Sequence, residues 1–322
     1  MSLSPNTYFN PGDASEELII APGIAQRLAE RTGVAELQAM IAAVEQLNSF
    51  GIVSAKLPIV VRNAIWWDGH AHAFPEPRNF FLPESGVAKL VGHTEDGRQV
   101  ALAMVAGHND GHHSHTDIGA FVLHVGGSSI FCDPGPGLYN REYFRQTRYE
   151  NVFTNSLGHS VPRIGEQLQA AGPEFGGRKQ FYGAISGHGE RDGAGFVQID
   201  FQHAYDLPTL RLARRTLQLD QRTGAMLLED EFAFDGAPLP IEEALVTWGD
   251  VACDGGNASV AEGGATAQIT IEEPAGAVFR SERLEQASRA NQKPRTLTRL
   301  AVDLPEGAQR FRARVILLEI RD

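Results

Sequence analysis

The sequence has few cysteines and no long apolar run. Its 322 residues include only Cys132 and Cys253, which are too few for a disulfide framework. Cys132 lies within an apolar segment, where a buried free thiol is expected. No segment approaches the roughly 20 apolar residues that a transmembrane helix needs, and no basic-then-apolar leader opens the chain. These absences argue against a disulfide-stapled domain and against a membrane partner, and they predict a globular protein.

Positive charge is also scarce. The formal net charge is −12 at pH 7, and general nucleic-acid binding depends on a basic surface, so no nucleic-acid partner is expected. The same charge does not by itself favour an acidic ligand, which would need a local positive patch. The best candidate patch contains Arg141, Arg145, Arg148 and Arg163. The alternative is that these are solvated surface arginines.

The hydrophobic pattern divides the chain into a short helical part and a long strand-rich part. Between residues 23 and 50, apolar residues recur at intervals of three and four with an interruption at Thr32 and Gly33, which predicts two helices joined at a glycine. Beyond residue 80 the period becomes two. The sequence therefore predicts an α-helical segment over 1–65 and an antiparallel β-sandwich over 66–322, a mainly β protein.

Individual strands and turns can be assigned within the β-rich part. Alternating segments predict strands at 197–201, 210–214, 267–271 and 311–315. Turn residues at 220–224 and 254–257 predict hairpin connections. Two glycine-rich stretches, 172–177 and 187–195, predict mobile loops that could border a cleft.

Histidine is concentrated in one short segment. Residues 108–133 hold five of the eleven histidines, with His113, His115 and Asp117 spaced two apart. Asp133 then ends an apolar run and begins an Asp-Pro-Gly-Pro-Gly turn. Imidazole and carboxylate are common ligands of divalent transition metals, and neutral imidazole is also a common general acid or base. The pattern predicts a metal or proton-transfer site, and a solvated polar loop is the alternative.

Strand geometry restricts how His115 and Asp133 could share a metal. A two-residue hairpin at Gly126 and Gly127 would place Asp133 opposite Ala120, five positions from His115. At about 3.3 Å per residue this is roughly 16 Å, too far for joint coordination at about 2 Å. The segment from residue 113 to residue 117 must therefore fold back, with Gly119 the natural bend, or the two residues do not share a metal.

Several motifs together resemble the C-terminal β-domain of the heparinase II/III-like polysaccharide lyases. They span about residues 80–170 and begin with Phe-Leu-Pro-Glu-Ser-Gly at 81–86. The motifs that follow are His113-x-His115-x-Asp117-x-Gly119-x-Phe121, Asp133-Pro134-Gly135 with Tyr139, Arg148, Asn155-Ser156, His159 and Gln169. At His159-Ser160-Val161-Pro162 the family has His-Asn-Thr-Val, so the match there is loose.

This resemblance implies roles for particular residues. Its metal ligands fall on His115, Asp133 and His159, and one divalent ion, zinc in the first instance, is the implied cofactor. Its active-site histidine falls on His113, and Tyr139 and Arg148 are further candidate catalytic residues. The candidate substrate-binding residues are His112, Arg141, Arg145 and Asn155.

The implied activity is β-elimination on an acidic, uronic-acid-containing polysaccharide. Members of the family normally carry a long α/α toroid that supplies a catalytic tyrosine. Fewer than eighty residues precede the match here, so the chain looks like the C-terminal part of such a lyase and is not expected to be active alone. The alternatives are a non-catalytic sugar-binding sandwich with a structural metal and a metal-dependent hydrolase. A periplasmic or secreted location is expected without excluding the cytoplasm, and a homodimer is allowed.

Overall fold

The computed structural model describes residues 1–4, 7–16, 22–34, 37, 57–70, 76–172 and 180–318. Contacts group the chain into two compact units. The N-terminal unit contains residues 1–8 and 16–77, and the β-unit contains residues 9–15 and 78–322. The short segment 9–15 therefore belongs with the β-unit although it lies near the start of the chain.

The N-terminal unit contains a two-stranded antiparallel sheet and two described helices. The strands are β1 (Ser2–Ser4) and β2 (Thr7–Tyr8), and the helices are α1 (Pro22–Thr32) and α2 (Leu57–Trp66). The helices approach closely at Gly23, where an added Cβ would lie 2.7 Å from the Cα of Asn63. The first predicted helix is thus present and ends at the predicted interruption. The second falls almost entirely outside the described residues, and α2 was not predicted.

Short strands and turns make up the β-unit. In chain order its strands are β3 (Phe80–Leu82), β4 (Val87–His93), β5 (Gln99–Val105), β6 (Gly107–His108), β7 (Phe121–Val125), β8 (Ser128–Phe131), β9 (Arg163–Ile164), β10 (Tyr182–Arg191), β11 (Ala194–Asp200), β12 (Leu210–Asp220), β13 (Met226–Phe234), β14 (Ile241–Thr247), β15 (Asp250–Asp254), β16 (Asn257–Glu262), β17 (Ala265–Glu273), β18 (Arg280–Arg283), β19 (Thr298–Asp303) and β20 (Arg310–Leu318). Helix α3 (Glu285–Ala290) precedes β19, and 3-10 turns lie at Pro83–Ser85, Glu142–Phe144, Gln146–Glu150, Ser156–Gly158 and Gln202–Ala204.

The strands of the β-unit form antiparallel sheets that enclose one main core. The largest has the order β15-β16-β17-β20-β13-β12-β11-β10-β6, a second has the order β3-β4-β5-β7-β8, and a third has the order β18-β19-β14-β9. Strand β4 contacts β11 and β12, while β8 contacts β16 and β17. Residues of the three sheets share a single hydrophobic cluster. The predicted antiparallel β-sandwich is confirmed.

Alternation of side chains explains most of the predicted strands. Buried and partly exposed residues alternate along β11 and β12, as expected when one face of a sheet covers the core. The predicted turns at 220–224 and 254–257 connect β12 to β13 and β15 to β16. The loop predicted at 187–195 is wrong, because Gly187 to Arg191 pair in register with β11. Backbone hydrogen bonds form that ladder, so glycines are tolerated in it. Most of the loop predicted at 172–177 lies outside the described residues.

The hairpin near the histidine-rich segment begins with the predicted pairing and then shifts register, since Leu123 pairs with Phe131 instead of Ile130. Val125 pairs with Ser128 across Gly126 and Gly127. Before β7 the chain turns at Gly119, which adopts a φ of +91°, a value that favours glycine because it lacks a Cβ. The fold-back predicted from strand spacing is therefore present.

The remaining predictions about the whole chain concern cysteine and membranes. Cys132 is buried, as expected, Cys253 is exposed, and the two do not form a disulfide. Among the described residues, no helix is both long and apolar enough to span a bilayer.

A charged cluster in the core ties the large sheet to two neighbouring loops. Arg215 of β12 has a fully buried side chain that pairs with Asp230 of β13 at 2.6 Å. Its Nη1 donates to the carbonyl oxygens of Gly119, at 2.8 Å, and Ser160, at 2.5 Å. Because Gly119 follows Asp117 and Ser160 follows His159, this arginine links the sheet to both segments that carry the candidate ligands.

Candidate active site and metal centre

Four buried side chains converge next to the β7 to β8 hairpin. They are His115, Asp117, Asp133 and His159, and one potential ligand atom from each lies within 4.8 Å of the others. Nδ1 of His115 is 3.1 Å from Nε2 of His159, and the two rings stack with centroids 5.0 Å apart. Two nitrogens at about 2.05 Å from a tetrahedral zinc would be separated by about 3.3 Å. The histidine spacing therefore suits two ligands of one ion.

An unpaired polar atom gives an independent test of this fit. Within the described part of the chain, Oδ2 of Asp117 is buried without a hydrogen-bond partner. Burial raises the pKa of Asp117 and lowers the pKa of His159 well below its ordinary value. A buried cation would compensate such a carboxylate, since buried charges are normally paired or coordinate metals. The cluster could hold a divalent metal ion.

Polar side chains hold the two ligand-bearing segments together. Gln169 accepts from the backbone N–H of Ile118 at 2.9 Å and donates to its carbonyl at 2.7 Å. Ser156 donates to the carbonyl of Thr116 at 2.8 Å and accepts from the N–H of Gln169. Gln169 and Ser156 thus join residues 116–118 to residues 156–169, which sets the separation of His115 from His159.

Asp133 is presented by its own turn. Its Oδ1 accepts from the N–H of Gly135 at 2.8 Å, an Asx-turn contact of the kind that aspartate commonly makes. Gly135 has a φ of +65°, which completes the turn. The local sequence Asp-Pro-Gly is therefore sufficient to aim this carboxylate at the end of β8.

Asp13 lies beside this cluster and contacts four functional candidates. Its carboxylate accepts from Nδ1 of His113 at 2.8 Å, from Nε2 of His115 at 2.9 Å, and from Tyr143. It also accepts from both terminal nitrogens of Arg148, at 2.8 and 3.1 Å. Burial acts to raise the pKa of Asp13, but these hydrogen bonds outweigh it and hold that pKa well below its usual range. Asp13 is therefore an ionised carboxylate at the centre of the site.

His113 stands at the exposed edge of the same group. Its side chain is 59% exposed, and its backbone φ of +64° is uncommon for a residue other than glycine. It lines a small concavity of about 90 Å³ together with His112, Phe144, Arg148 and Tyr149. His113 is thus held by Asp13 on one side and faces an open space on the other.

Aromatic residues border this concavity. Tyr139 packs on Tyr143 with ring centroids 4.8 Å apart and on Phe144 at 5.1 Å. Burial, followed by hydrogen bonding to Asp13, raises the pKa of Tyr139 to about 12. The same causes raise the pKa of Tyr143. Both phenols are therefore protonated at neutral pH and can act as hydrogen-bond donors.

The arginines predicted as one positive patch lie in different environments. Arg148 is buried and pairs with Asp13, whereas Arg163 pairs with Glu242 of β14 at 3.2 Å. Arg141 is exposed, and Arg145 forms an exposed pair with Glu142 at 3.4 Å. Exposed pairs of this kind contribute about 0–1 kcal/mol. Within the predicted patch, Arg141 and Arg145 are therefore exposed, whereas the charge of Arg148 is compensated by Asp13.

The other predicted ligand-binding residues differ in exposure. His112 is exposed beside His113. Asn155 is buried, accepts from the N–H of Leu157 at 3.0 Å and donates to the carbonyl of Tyr149 at 3.1 Å. Its amide orders the loop that carries His159 and Tyr149.

The sequence interpretation assigned no role in the site to two residues, Asp13 and Asp117. Asp13 is about one hundred positions from its partners and stands in a segment without a motif. Asp117 was noted for its spacing but was not assigned as a ligand, because the resemblance supplied three ligands without it. The spacing of two between His115 and Asp117 was the signal that could have included it.

Comparison with known proteins shows what this arrangement is similar to. Residues 75–314 match the family model described as heparinase II/III-like, C-terminal. A solved heparinase III shares 15% identity with a TM-score of 0.65, over 99% of this chain and 47% of that one. The heparan sulfate lyase HepC from Pedobacter heparinus shares 14% identity with a TM-score of 0.60, over 100% and 46%.

A third solved structure is similar to this chain to about the same degree. The heparinase III product of BT4657 shares 13% identity with a TM-score of 0.62, over 98% of this chain and 44% of that one. At these identities the likeness shows the fold. The chain spans slightly less than half the length of these three solved structures. No curated protein sequence matches it.

Proposed function

Since the chain belongs to the heparinase II/III-like family through its C-terminal domain, we propose that it serves β-elimination on a uronic-acid-containing polysaccharide. The observation that carries the proposal is the convergence of His113, Tyr143 and Arg148 on one carboxylate, beside a buried histidine and aspartate cluster. HepC, whose fold this chain shares, is by its name a heparan sulfate lyase, and heparan sulfate is therefore the first substrate to test.

β-Elimination at a uronate needs three chemical functions. A base must remove the proton at C5, positive charge or hydrogen-bond donors must stabilise the charge that develops on the carboxylate, and an acid must protonate the oxygen that leaves C4. His113 is placed to exchange a proton with a ligand in the concavity. Tyr139 packs on Tyr143 and Phe144, which line the concavity, and its protonated phenol is proposed for the donor's role.

The proposed binding residues fall into an exposed group and a buried group. His112 is exposed and lines the concavity, while Arg141 and Arg145 are exposed and flank the lining residue Phe144 in sequence. All three would attract the substrate's carboxylates. Arg148 and Asn155 are buried and hold the surrounding loop through Asp13 and Tyr149. We propose that their contribution to substrate binding is made through that loop.

The proposed cofactor is one divalent ion, zinc in the first instance. His115, Asp133 and His159 would hold it, and Asp117 adds a second carboxylate within the same 4.8 Å. When bound, the ion would fix the buried segments and compensate the Asp117 carboxylate. The organising role is favoured because the cluster is buried and reaches His113, at the concavity, through Asp13, which contacts both His115 and His113.

The proposed substrate indicates where the protein acts. A protein that acts on extracellular polysaccharide is expected in the periplasm or outside the cell. We also propose that residues 1–65 form the end of a helical toroid and residues 66–322 the β-domain. Whether the protein forms a homodimer can be read from its mass in solution.

We expect the purified chain to carry about one zinc, or a similar divalent ion, per molecule. Replacing His115 with alanine should remove most of it, because a cluster that loses one of its two imidazoles binds zinc far more weakly. Elemental analysis of the wild type and the variant measures this. The matched control is His124→Ala, since His124 is also buried but hydrogen bonds Ser129 in the sheet. Equal metal content in the wild type and His115→Ala would remove His115 from the site.

Product chemistry tests the reaction itself. With heparan sulfate and related polymers, elimination should yield an unsaturated uronate whose conjugated double bond absorbs in the ultraviolet. A saturated product with a new reducing end would indicate the metal-dependent hydrolase instead. Binding without any product, even when the chain is joined to a toroid domain, would indicate a carbohydrate-binding sandwich with a structural metal.

A further inference from the structure

The carboxylate of Asp13 is buried and is fixed by several hydrogen bonds. Its side chain is 4% exposed and receives five hydrogen bonds, three on Oδ1 and two on Oδ2. The preceding turn is pressed against the histidine-rich segment, because the backbone N–H of Asp13 donates to the carbonyl of His113 at 3.0 Å. A Cβ at Gly12 would lie 2.4 Å from that same oxygen. Glycine at position 12 is what allows this approach.

The hydrogen-bond partners determine which atoms carry protons. A guanidinium has only donors, and Arg148 occupies both oxygens of Asp13. A carboxylate in this position is an acceptor only, so each imidazole nitrogen that faces it must carry a hydrogen. For His113 that nitrogen is Nδ1, and for His115 it is Nε2. The two neutral rings are therefore opposite tautomers.

We propose that Asp13 is a positioning residue that fixes the tautomers of two histidines with different tasks. It leaves Nδ1 of His115 for the metal cluster and Nε2 of His113 for the proton of a bound substrate. This deepens the function proposed above, and its catalytic half depends on that function.

Each half of the proposal has a geometric basis. Nδ1 of His115 faces Nε2 of His159 at 3.1 Å, so the ring presents its unprotonated nitrogen to the cluster. A carboxylate on the far nitrogen of a metal-binding histidine orients the ring and makes it a stronger ligand. The ring of His113 is mostly exposed at the concavity. A carboxylate behind a basic histidine holds the tautomer that can accept a proton.

One carboxylate can serve both rings because of the backbone between them. Residues 113 and 115 would lie on the same face of an extended strand. The left-handed φ of His113 means that the backbone is not extended there. The two rings therefore approach Asp13 from different directions, His113 through Nδ1 and His115 through Nε2. The short turn from Gly111 to Ser114, closed by a 3.2 Å hydrogen bond, fixes this arrangement.

Nuclear magnetic resonance of nitrogen-15-labelled histidine rings reads the tautomers directly. At about pH 8, above the ordinary histidine pKa, the metal-free wild type should show His113 protonated at Nδ1 and His115 at Nε2. Spectra of His113→Gln and His115→Gln assign the signals. A wild-type His113 that is protonated at Nε2 would overturn the proposal, and this measurement needs no Asp13 variant to fold.

Substitution of Asp13 tests whether this residue determines the histidine tautomers and the zinc affinity. In Asp13→Asn, His113 should shift toward the Nε2-protonated form, and zinc affinity should fall about 10- to 100-fold, the usual effect of losing such a partner. Zinc affinity is measured by competition with a coloured chelator. The control is Asp200→Asn, which breaks a two-point contact with Arg214 away from the site. Ring signals and zinc affinity that are unchanged in Asp13→Asn would overturn the positioning role.

A failure of the proposal for Asp13 can be distinguished from a failure of the proposed lyase function. The tautomer of His113 is observed without metal or substrate, so a chain that shows no elimination can still confirm the role of Asp13. Conversely, elimination with an Nε2-protonated His113 would reject the positioning role and leave the lyase function standing.

Discussion

Replacing His113 with glutamine is expected to lower the rate of β-elimination about 100- to 10,000-fold, the usual contribution of a positioned acid or base. The reason is that His113 is the imidazole that both faces the concavity and is oriented by Asp13. Glutamine keeps a polar side chain of similar length but cannot exchange the proton. The initial rate of ultraviolet absorbance measures the effect, in whichever form of the protein is active.

A histidine away from the site provides the control. His188 lies in β10 and stacks on Phe81, with ring centroids 4.6 Å apart, so His188→Gln should keep the wild-type rate. Turnover that survives His113→Gln at the wild-type level would reject the active-site assignment.

The 322-residue chain alone is expected to turn over polysaccharide weakly. It spans slightly less than half the length of the solved heparinases that it matches, and the family resemblance assigns a catalytic tyrosine to a toroid. Robust elimination by this chain would mean that a local residue performs the tyrosine's task. Tyr139 and Tyr143 would then be the first to substitute, because both phenols are protonated beside Asp13.

The largest effect on stability is expected at Arg215. Replacing it with methionine should lower the free energy of unfolding by about 3–5 kcal/mol, because Asp230 would be left as a fully buried charge without its partner. Glu243 also pairs with Arg215, at 3.4 Å, so the loss of the cation affects both acids. Urea unfolding followed by tryptophan fluorescence gives the difference.

The adjacent arginine is a matched control for burial. Arg214 makes a similar two-point contact with Asp200, but both side chains are partly exposed. Arg214→Met should therefore cost at most about 1 kcal/mol. If the double variant Arg215→Met/Asp230→Leu regains much of the lost stability, the penalty comes from the unpaired charge. Equal small losses in Arg214→Met and Arg215→Met would contradict this account.

Much of the fold could be predicted because it depends on local patterns. The period of two along β11, β12, β17 and β20 reports which side chains face the core. The hairpin at Gly126 and Gly127 and the bend at Gly119 follow from glycine's access to positive φ. The loop predicted at 187–195 failed for a corresponding reason. Glycine content signals flexibility locally, but pairing with β11 depends on a neighbouring strand.

For the candidate site, the sequence alone determined which chemical groups are available, because imidazole and carboxylate side chains are read directly from it. The family resemblance of the motifs then implied that His115, Asp133 and His159 are metal ligands and that His113 is the active-site histidine. The tertiary structure decided which of these groups meet and what each one faces. Asp13 joins His113, His115, Tyr143 and Arg148 across 100 to 135 positions of the chain, and Arg215 reaches Gly119 across 96. Contacts at such separations arise only when sheets and loops pack, because no local pattern encodes them. Packing also decided that Arg148 is neutralised by Asp13 while Arg141 stays exposed, a difference that identical arginine side chains cannot reveal in sequence.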